Sequence, residues 1–256
     1  MVDVKETLEK VKKWAGEVGE IQRENFRRKD LAIDSKSNVT DLVTEIDKKS
    51  EEIIIDHIKN EYPDHAVLAE ETGRNDRESD YLWVIDPLDG TNNYAQGLPI
   101  YCTSIGLRYR GETILGVVYA PYLDELFWAT KGGGTYCNGE RIEVGREREL
   151  NRCVLATGFP YDKGTHPLNN LDYVGRIVPQ LRGIRRMGAA AYDLCGVAMG
   201  ILDGYWEMNL SPWDVEAGIL IVEEAGGRVE NFREDRGISI VAGNKTIVDR
   251  IRDNLK

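Results

Sequence analysis

The chain reads as an α+β protein built from stacked layers of helix and sheet. Three observations point there. The first half holds consecutive β-like runs separated by turn residues, the second half alternates short apolar runs with helical segments, and no linker divides them. With 256 residues there is room for a sizeable core in two sub-domains sharing a cleft. An apolar content of 41% and a charged content of 30% fit a soluble globular protein. The net charge of −11 argues against bulk attraction to nucleic acid or anionic membrane. Residues 1–28 are charged throughout, and no run of about 18 apolar residues occurs, so neither a secretory signal nor a membrane span is expected. Cys102, Cys137, Cys153 and Cys195 are widely spaced and read as reduced thiols, which together with the missing signal predicts a cytoplasmic protein.

Taken in order, Val4, Leu8, Val11, Ala15 and Val18 recur at helical spacing and predict a helix over 3–27. A polar loop follows at 34–41. Ile46, Ile53, Ile54 and Ile58 supply the apolar face of a second helix over 44–60. Residues 67–69 and 81–85 read as buried strands, the second followed by a Pro turn and a helix opened by Gly90-Thr91. Residues 103–130 predict three antiparallel strands, turned at Arg110-Gly111 and between Pro121 and Asp124. Gly132 to Gly134 and Asn138-Gly139 add turns, and this Gly-rich half, 1–145, ends near Gly145. In the second half, 146–256, strands are expected at 153–157, 184–186, 205–208 and 238–242. Helices are expected at 167–181, 189–202, 213–225 and 245–255.

Four acids distant in sequence fall at element ends. Glu70 follows a strand, Asp86 and Asp89 bracket a strand-to-helix turn, and Asp214 opens a helix. Singly, each has an ordinary explanation: a solvated loop, turn chemistry, or a first-turn acid favoured by the helix dipole. Together they suit magnesium, which takes oxygen ligands from a few carboxylates, water and substrate phosphate. Two ions about 3.5–4 Å apart stabilise both the attacking and the leaving oxygen of an in-line displacement. Amides at a helix start, as at Gly90-Thr91, suit a phosphate. Phosphate monoesters need such help, since accelerations of up to about 10²¹ are known for their hydrolysis.

The residues that carry these features resemble the inositol monophosphatase family, the magnesium-dependent, lithium-inhibited phosphatases of sugar and inositol phosphates. Lys36-x4-Asp41-x-Val43-Thr44-x-x-Asp47 is similar to its N-terminal motif. Glu70-Glu71 is similar to its G-E-E, with Ala69 in place of Gly. Asp86-Pro87-Leu88-Asp89-Gly90-Thr91 matches its signature unchanged. Gly188-Ala189-Ala190 and Tyr205-Trp206-Glu207 resemble its substrate-side segments, and Trp213-Asp214 with Gly226-Gly227 resembles its C-terminal signature. The resemblance implies a layered αβαβα sandwich and hydrolysis of myo-inositol 1-phosphate and related monoesters by activated water. It also implies two or three Mg²⁺ ions, lithium sensitivity and a homodimer.

The same resemblance assigns roles. One metal would take Glu70, Asp86 and the carbonyl of Leu88; a second would take Asp86, Asp89 and Asp214. The attacking water would lie on the Glu70 side, oriented by a Thr91–Asp47 pair. Asp47 also fits a helix cap, because Thr44-x-x-Asp47 is close to a capping box. Phosphate would meet Gly90 and Thr91, with Lys36 beside it. Asp89, Asp214, Ala190 and Glu207, with the backbone of Gly188 and Ala189, would meet the substrate hydroxyls. Arg185 and Arg186 read either as a solvated basic face or as partners of a phosphate, with Arg185 placed among the substrate contacts. Gly158-Phe159-Pro160 and Ala191-Tyr192-Asp193 border the expected sugar pocket.

Other patterns are set aside. Cys102-x5-Arg108 fits a thiolate phosphatase by spacing, but its interior, Thr-Ser-Ile-Gly-Leu, reads as a strand. Gly132 to Gly134 lacks the Lys-Ser/Thr of a nucleotide loop, and His57, His65 and His166 lack zinc-ligand spacing. Two alternatives stay open. One is fructose-1,6-bisphosphatase activity, alone or shared; the other is an added role as a protein-binding partner in transcription complexes, without direct nucleic-acid contact.

Overall fold

The computed structural model describes residues 2–35 and 42–256. The N-terminal helix α1 (Val4–Asn25) is capped by Asp3, whose side chain accepts from the amides of Lys5 and Glu6. A short ribbon of β1 (Ile33–Ser35) and β2 (Leu42–Thr44) leads into α2 (Glu45–Glu61). Thr44 and Asp47 close a complete capping box at its start, so Thr44 caps the predicted helix from outside it. There follow β3 (Ala66–Ala69), β4 (Gly73–Arg74), β5 (Tyr81–Asp89), the short α3 (Thr91–Gln96), β6 (Cys102–Tyr109), β7 (Glu112–Ala120), β8 (Glu125–Thr130), β9 (Gly134–Cys137) and β10 (Glu140–Ile142). They form an eight-stranded sheet in the order β10-β9-β8-β7-β6-β5-β3-β4, antiparallel except for the β3–β5 pair. The rest comprises β11 (Val154–Thr157), α4 (Leu171–Ile177), β12 (Gly183–Arg185), α5 (Ala190–Ala198), β13 (Gly204–Leu210), α6 (Pro212–Glu224), β14 (Arg228–Arg233), β15 (Ile238–Gly243) and α7 (Lys245–Asn254). Its five-stranded sheet runs β12-β11-β13-β15-β14.

Three apolar clusters stack these parts into five layers. Val11, Trp14, Val18, Ile54 and Ile58 press α1 and α2 onto Trp83, Ile105 and Val117 of the large sheet. Leu194, Ala217, Leu220 and Ile221 of α5 and α6 fill the space between the sheets, against Val118 and Phe127 on one side and Tyr205 and Ile240 on the other. Ile177, Ile247, Val248 and Ile251 cover the outer face of the small sheet. The order is helix, sheet, helix, sheet, helix, as the αβαβα expectation has it. The central layer sits close because Gly116 leaves room: a Cβ there would stand 2.9 Å from the Ala217 carbonyl oxygen.

The differences from expectation have local causes. Strand β5 continues through Asp89, so Pro87 lies inside the strand rather than in a turn after it. The sheet absorbs it as a bulge, with Asp86 opposite Ser104 and Asp89 opposite Cys102. The helix expected over 167–181 shrinks to α4 and a 3₁₀ turn at Val178–Gln180. Buried Asn170 has a φ of 76° and ties the Thr157 hydroxyl, the Gly158 carbonyl and the Trp206 indole together, which holds the preceding residues out of a helix. Helix α5 stops at Ala198 because Gly200 takes a φ of 74°. The Cys102 to Arg108 segment is strand β6, and all four cysteines are buried free thiols. The histidines serve the scaffold: His57 pairs with Glu17 at 2.8 Å, His65 accepts from the Trp83 indole at 3.1 Å, and His166 accepts the Leu168 amide at 3.1 Å. Among the described residues no helix is long and apolar enough to cross a membrane.

Candidate active site

A polar cavity of about 250 Å³ opens between the sheets. Its lining includes Glu70, Asp86, Leu88, Asp89, Gly90, Thr91, Gly188, Ala189, Ala190, Glu207 and Asp214. Parallel pairing of β3 with β5 puts Glu70, just past Ala69, beside the Asp86 end of the neighbouring strand. The bulge then carries Asp86 and Asp89 to one wall. The start of α6 brings Asp214 and the middle of β13 brings Glu207 to the same cavity.

Main-chain amides hold these carboxylates in place. Asp86 Oδ1 accepts from Leu88 N at 3.0 Å, Asp89 Oδ2 from Ala191 N at 2.7 Å, and Asp214 Oδ2 from Ser211 N at 2.7 Å. Among the described residues no Lys or Arg pairs with any of the three. Burial first, then the charges of Glu70, Asp89 and Asp214, lifts the Asp86 carboxyl well above the usual carboxylate range. Burial pushes Asp89 up to about 7, against the amide bond from Ala191. Asp214 and Glu207 keep some surface open to the cleft, yet protein atoms crowd them enough that desolvation raises both. The Tyr205 hydroxyl, donating to Glu207 Oε2 at 2.7 Å, and the charge of Arg186 partly offset this at Glu207.

Beside the acids, Thr91 Oγ1 donates to Asp47 Oδ1 at 2.8 Å and lies 3.0 Å from the Leu88 carbonyl. The other Asp47 oxygen accepts the Thr44 amide at 2.9 Å, so the cap of α2 aims Asp47 at Thr91. Burial pushes the Asp47 carboxyl up to about 6, despite its bonds from Thr44 and Thr91. Gly90 takes a φ of 91°, and a Cβ there would meet the Ile100 carbonyl oxygen at 3.0 Å and Ala189 at 3.2 Å. Gly188, with a φ of 87°, lets Arg186 and Asn93 close over it, and Asn93 Nδ2 donates to the Met187 carbonyl at 2.7 Å.

Not every expected residue arrives. Lys36 and Asp41 lie outside the described residues. Arg185 ends β12 with its side chain exposed and is not part of the cavity lining; Arg186, one step further, is. Tyr161 and the segment from Met208 to Ser211 also line the cavity without having been foreseen. The signal for the latter was its position between Glu207 and Asp214, two residues already in view. Among the described residues no three His, Cys, Asp or Glu side chains already stand in a ligating arrangement around one point. The donor set nonetheless suits hard cations: oxygens only, close-set acids, and, among the described residues, no ion pair to Asp86, Asp89 or Asp214.

A five-layer α+β fold with an acid-lined cleft between its sheets defines the class of sugar- and inositol-phosphate phosphatases. The chain belongs to the inositol monophosphatase family, whose model matches residues 3–251. It is 41% identical over 252 residues to the fructose-1,6-bisphosphatase/inositol-1-monophosphatase of Aquifex aeolicus (strain VF5), across 98% of this chain and 96% of that one. It is 39% identical over 247 residues to Nus factor SuhB of Escherichia coli (strain K12), across 94% and 92%. The structure of an inositol monophosphatase from Anabaena (Nostoc) sp. PCC 7120 superposes with a TM-score of 0.87 at 37% identity, covering 99% of this chain and 96% of that one.

Proposed function

We propose that this protein hydrolyses myo-inositol 1-phosphate and related phosphate monoesters to the alcohol and phosphate, with magnesium. The observation that carries the proposal is the gathering of Asp86, Asp89 and Asp214, none paired with a cation among the described residues, in one cavity with Glu70, beside the Thr91–Asp47 pair. Glu70, Asp86 and the Leu88 carbonyl would hold one Mg²⁺, and Asp86, Asp89 and Asp214 another, with a third beside Glu70. Bound there, magnesium supplies positive charge against the phosphate oxygens and acidifies water. Thr91 Oγ1 directs its own proton toward Asp47, which leaves a lone pair to accept a proton of the attacking water. Asp47 steadies that hydroxyl, and the water oxygen bonds to phosphorus as the P–O ester bond breaks, the proton lost by the water being made good at the leaving oxygen from solvent so that it departs as the alcohol. Gly90 and Thr91 present amides to the phosphate. Glu207 and Asp89 accept from the hydroxyls of the polyol beside the backbone of Gly188, Ala189 and Ala190.

Phosphate release from myo-inositol 1-phosphate, measured with magnesium and then with excess chelator, tests this. Activity that ignores the chelator overturns it; adding lithium to the same assay checks the expected sensitivity. Arg186 in the cavity wall favours a second reading, in which fructose 1,6-bisphosphate is also hydrolysed and Arg186 meets its second phosphate. A kcat/KM comparison of the two substrates decides between one activity and two. We also propose a cytoplasmic homodimer, to be checked by light scattering. The relatives named Nus factor SuhB support an added protein-binding role, which a pulldown with transcription proteins would test.

A further inference from the structure

Gln22 is a polar residue on the buried stripe of α1, one turn beyond Val18, and it is wholly buried. Its Nε2 donates to the Pro87 carbonyl at 2.8 Å and to Thr103 Oγ1 at 3.0 Å, with Ser50 Oγ at 3.4 Å. Thr103 Oγ1, equally buried, donates to the same carbonyl at 3.0 Å. Thr103 is also the one β6 residue that faces the two β5 residues of the bulge, Pro87 and Leu88. A bulge takes its extra residue out of the sheet ladder, so a buried carbonyl there needs another donor. Two side chains supply it. The Gln22 main-chain carbonyl accepts from the Tyr94 hydroxyl at 2.7 Å, tying this turn of α1 to the helix that Thr91 opens.

The peptide plane between Pro87 and Leu88 is thereby held at both ends. Its oxygen is gripped by Gln22 and Thr103, and its N–H is the group that anchors Asp86 Oδ1. The next carbonyl, that of Leu88, lies within 3.0 Å of Thr91 Oγ1, and Leu88 lines the cavity. We propose that Gln22 and Thr103 form a clamp of positioning residues, outside the cavity, that sets Asp86 and the Leu88 carbonyl for metal binding. Their role depends on the phosphatase function proposed above.

The test uses the full chain as Gln22→Leu, Thr103→Val and the double variant, with Val18→Ala from the same buried stripe as a stability control. Calorimetry measures Mg²⁺ binding to the substrate-free protein, and phosphate release gives kcat and KM separately. Gln22→Leu is expected to weaken Mg²⁺ binding and lower kcat by about tenfold each, in the range seen when groups behind metal ligands are removed. KM for myo-inositol 1-phosphate should move far less. Val18→Ala should lose thermal stability while keeping Mg²⁺ affinity and kcat. The double variant should lose more than the two single losses together, because only there is the Pro87 carbonyl left without either side-chain donor. Thr103→Val preserves shape and keeps the test open should Gln22→Leu fail to fold. Wild-type Mg²⁺ affinity and kcat in whichever of these two variants folds overturns the clamp, as does an equal loss in Val18→Ala. Wild-type protein that neither binds Mg²⁺ nor releases phosphate overturns the function and the clamp together.

Discussion

Helix α6 carries two acids two residues apart whose surroundings could hardly differ more. Glu216 faces β6 and β7, where the Arg108 guanidinium and the Thr113 hydroxyl both donate to its carboxylate. Asp214 faces the cleft, where its neighbours are Asp89, Glu70 and Glu207, and only the Ser211 amide donates to it among the described residues. The first acid is given its cation by the fold. The second is raised by desolvation and by like charges and has no cation partner among the described residues. A buried carboxylate with its own arginine is scaffold; buried carboxylates crowded together, as Asp86, Asp89 and Asp214 are, make a place for a cation from solution. The contrast separates Glu216 from the acids of the cleft without reference to the chain's relatives.

The sharpest way to break the contrast is to neutralise each acid in turn. Asp214→Asn keeps the acceptor for the Ser211 amide and removes the charge. It should lower kcat/KM with magnesium by about 10²–10³-fold, the scale of losing one charge-stabilising group. Thermal stability in chelator should hold or rise, since a like charge leaves the cluster. Near-normal activity in Asp214→Asn, or a large loss of stability, would place Asp214 with Glu216 among structural acids.

Metal should act on one side of the comparison only. At a Mg²⁺ concentration about 100 times its Kd, the native state gains about 2.7 kcal/mol, and Asp214→Asn should forfeit most of that gain. The pH dependence without metal follows from the raised carboxyls. Asp89, pushed up to about 7, binds its proton more tightly folded than unfolded. Its contribution is therefore full below the ordinary aspartate range and is lost as pH rises through about 7. Chelated wild type should lose stability between pH 5 and pH 8 relative to Asp89→Asn, and magnesium should erase that difference. A chelated pair of curves that stay parallel across this range would contradict the assignment.

These acids were legible in the sequence because each sits at an element end within a motif, and element ends survive small errors in boundaries. The Asp47–Thr91 contact was legible for the same reason, through the capping pattern at Thr44. What escaped needed the third dimension. The bulge at Pro87 and Leu88 has no sequence signal apart from the proline, which reads equally well as a turn. Strand β14, Arg-Val-Glu-Asn-Phe-Arg, is a half-buried edge with too little apolar content to stand out. Arg185 and Arg186 are neighbours, and only the end of β12 decides which one turns into the cavity. Gln22 was visible as a polar residue on an apolar stripe, but its partner, a main-chain carbonyl far along the chain, was not.

On the scaffold side, Glu216→Gln should cost about 2 kcal/mol, because charge-assisted hydrogen bonds are lost and Arg108 is left without its carboxylate. Arg108 keeps about a third of its side-chain surface exposed, which holds the loss below that of a fully buried pair. Mg²⁺ affinity and kcat of the folded fraction should be unchanged. Denaturant unfolding with and without magnesium reads both quantities, and a Glu216→Gln protein that binds Mg²⁺ ten times more weakly would show that the two faces of α6 are coupled.

The smallest effect should carry the opposite sign with pH. His65 is buried among Tyr62, Tyr81 and Trp83, and its Nδ1 accepts from the Trp83 indole, which requires the neutral ring at that nitrogen. Burial lowers its pKa from the ordinary histidine value. The unfolded chain therefore takes up the proton first, and stability is lost as pH falls from about 6.5 through the lower folded value. His65→Phe keeps the stacking and removes both the titration and the acceptor. It should cost about 1 kcal/mol at neutral pH, for the orphaned indole N–H, and flatten the acid limb of the stability curve. Metal should leave this limb's histidine component untouched, since His65 stands behind the large sheet's aromatic cluster and lines no part of the acid cavity. An acid limb equally steep in His65→Phe and wild type would assign it to the carboxylates elsewhere in the fold.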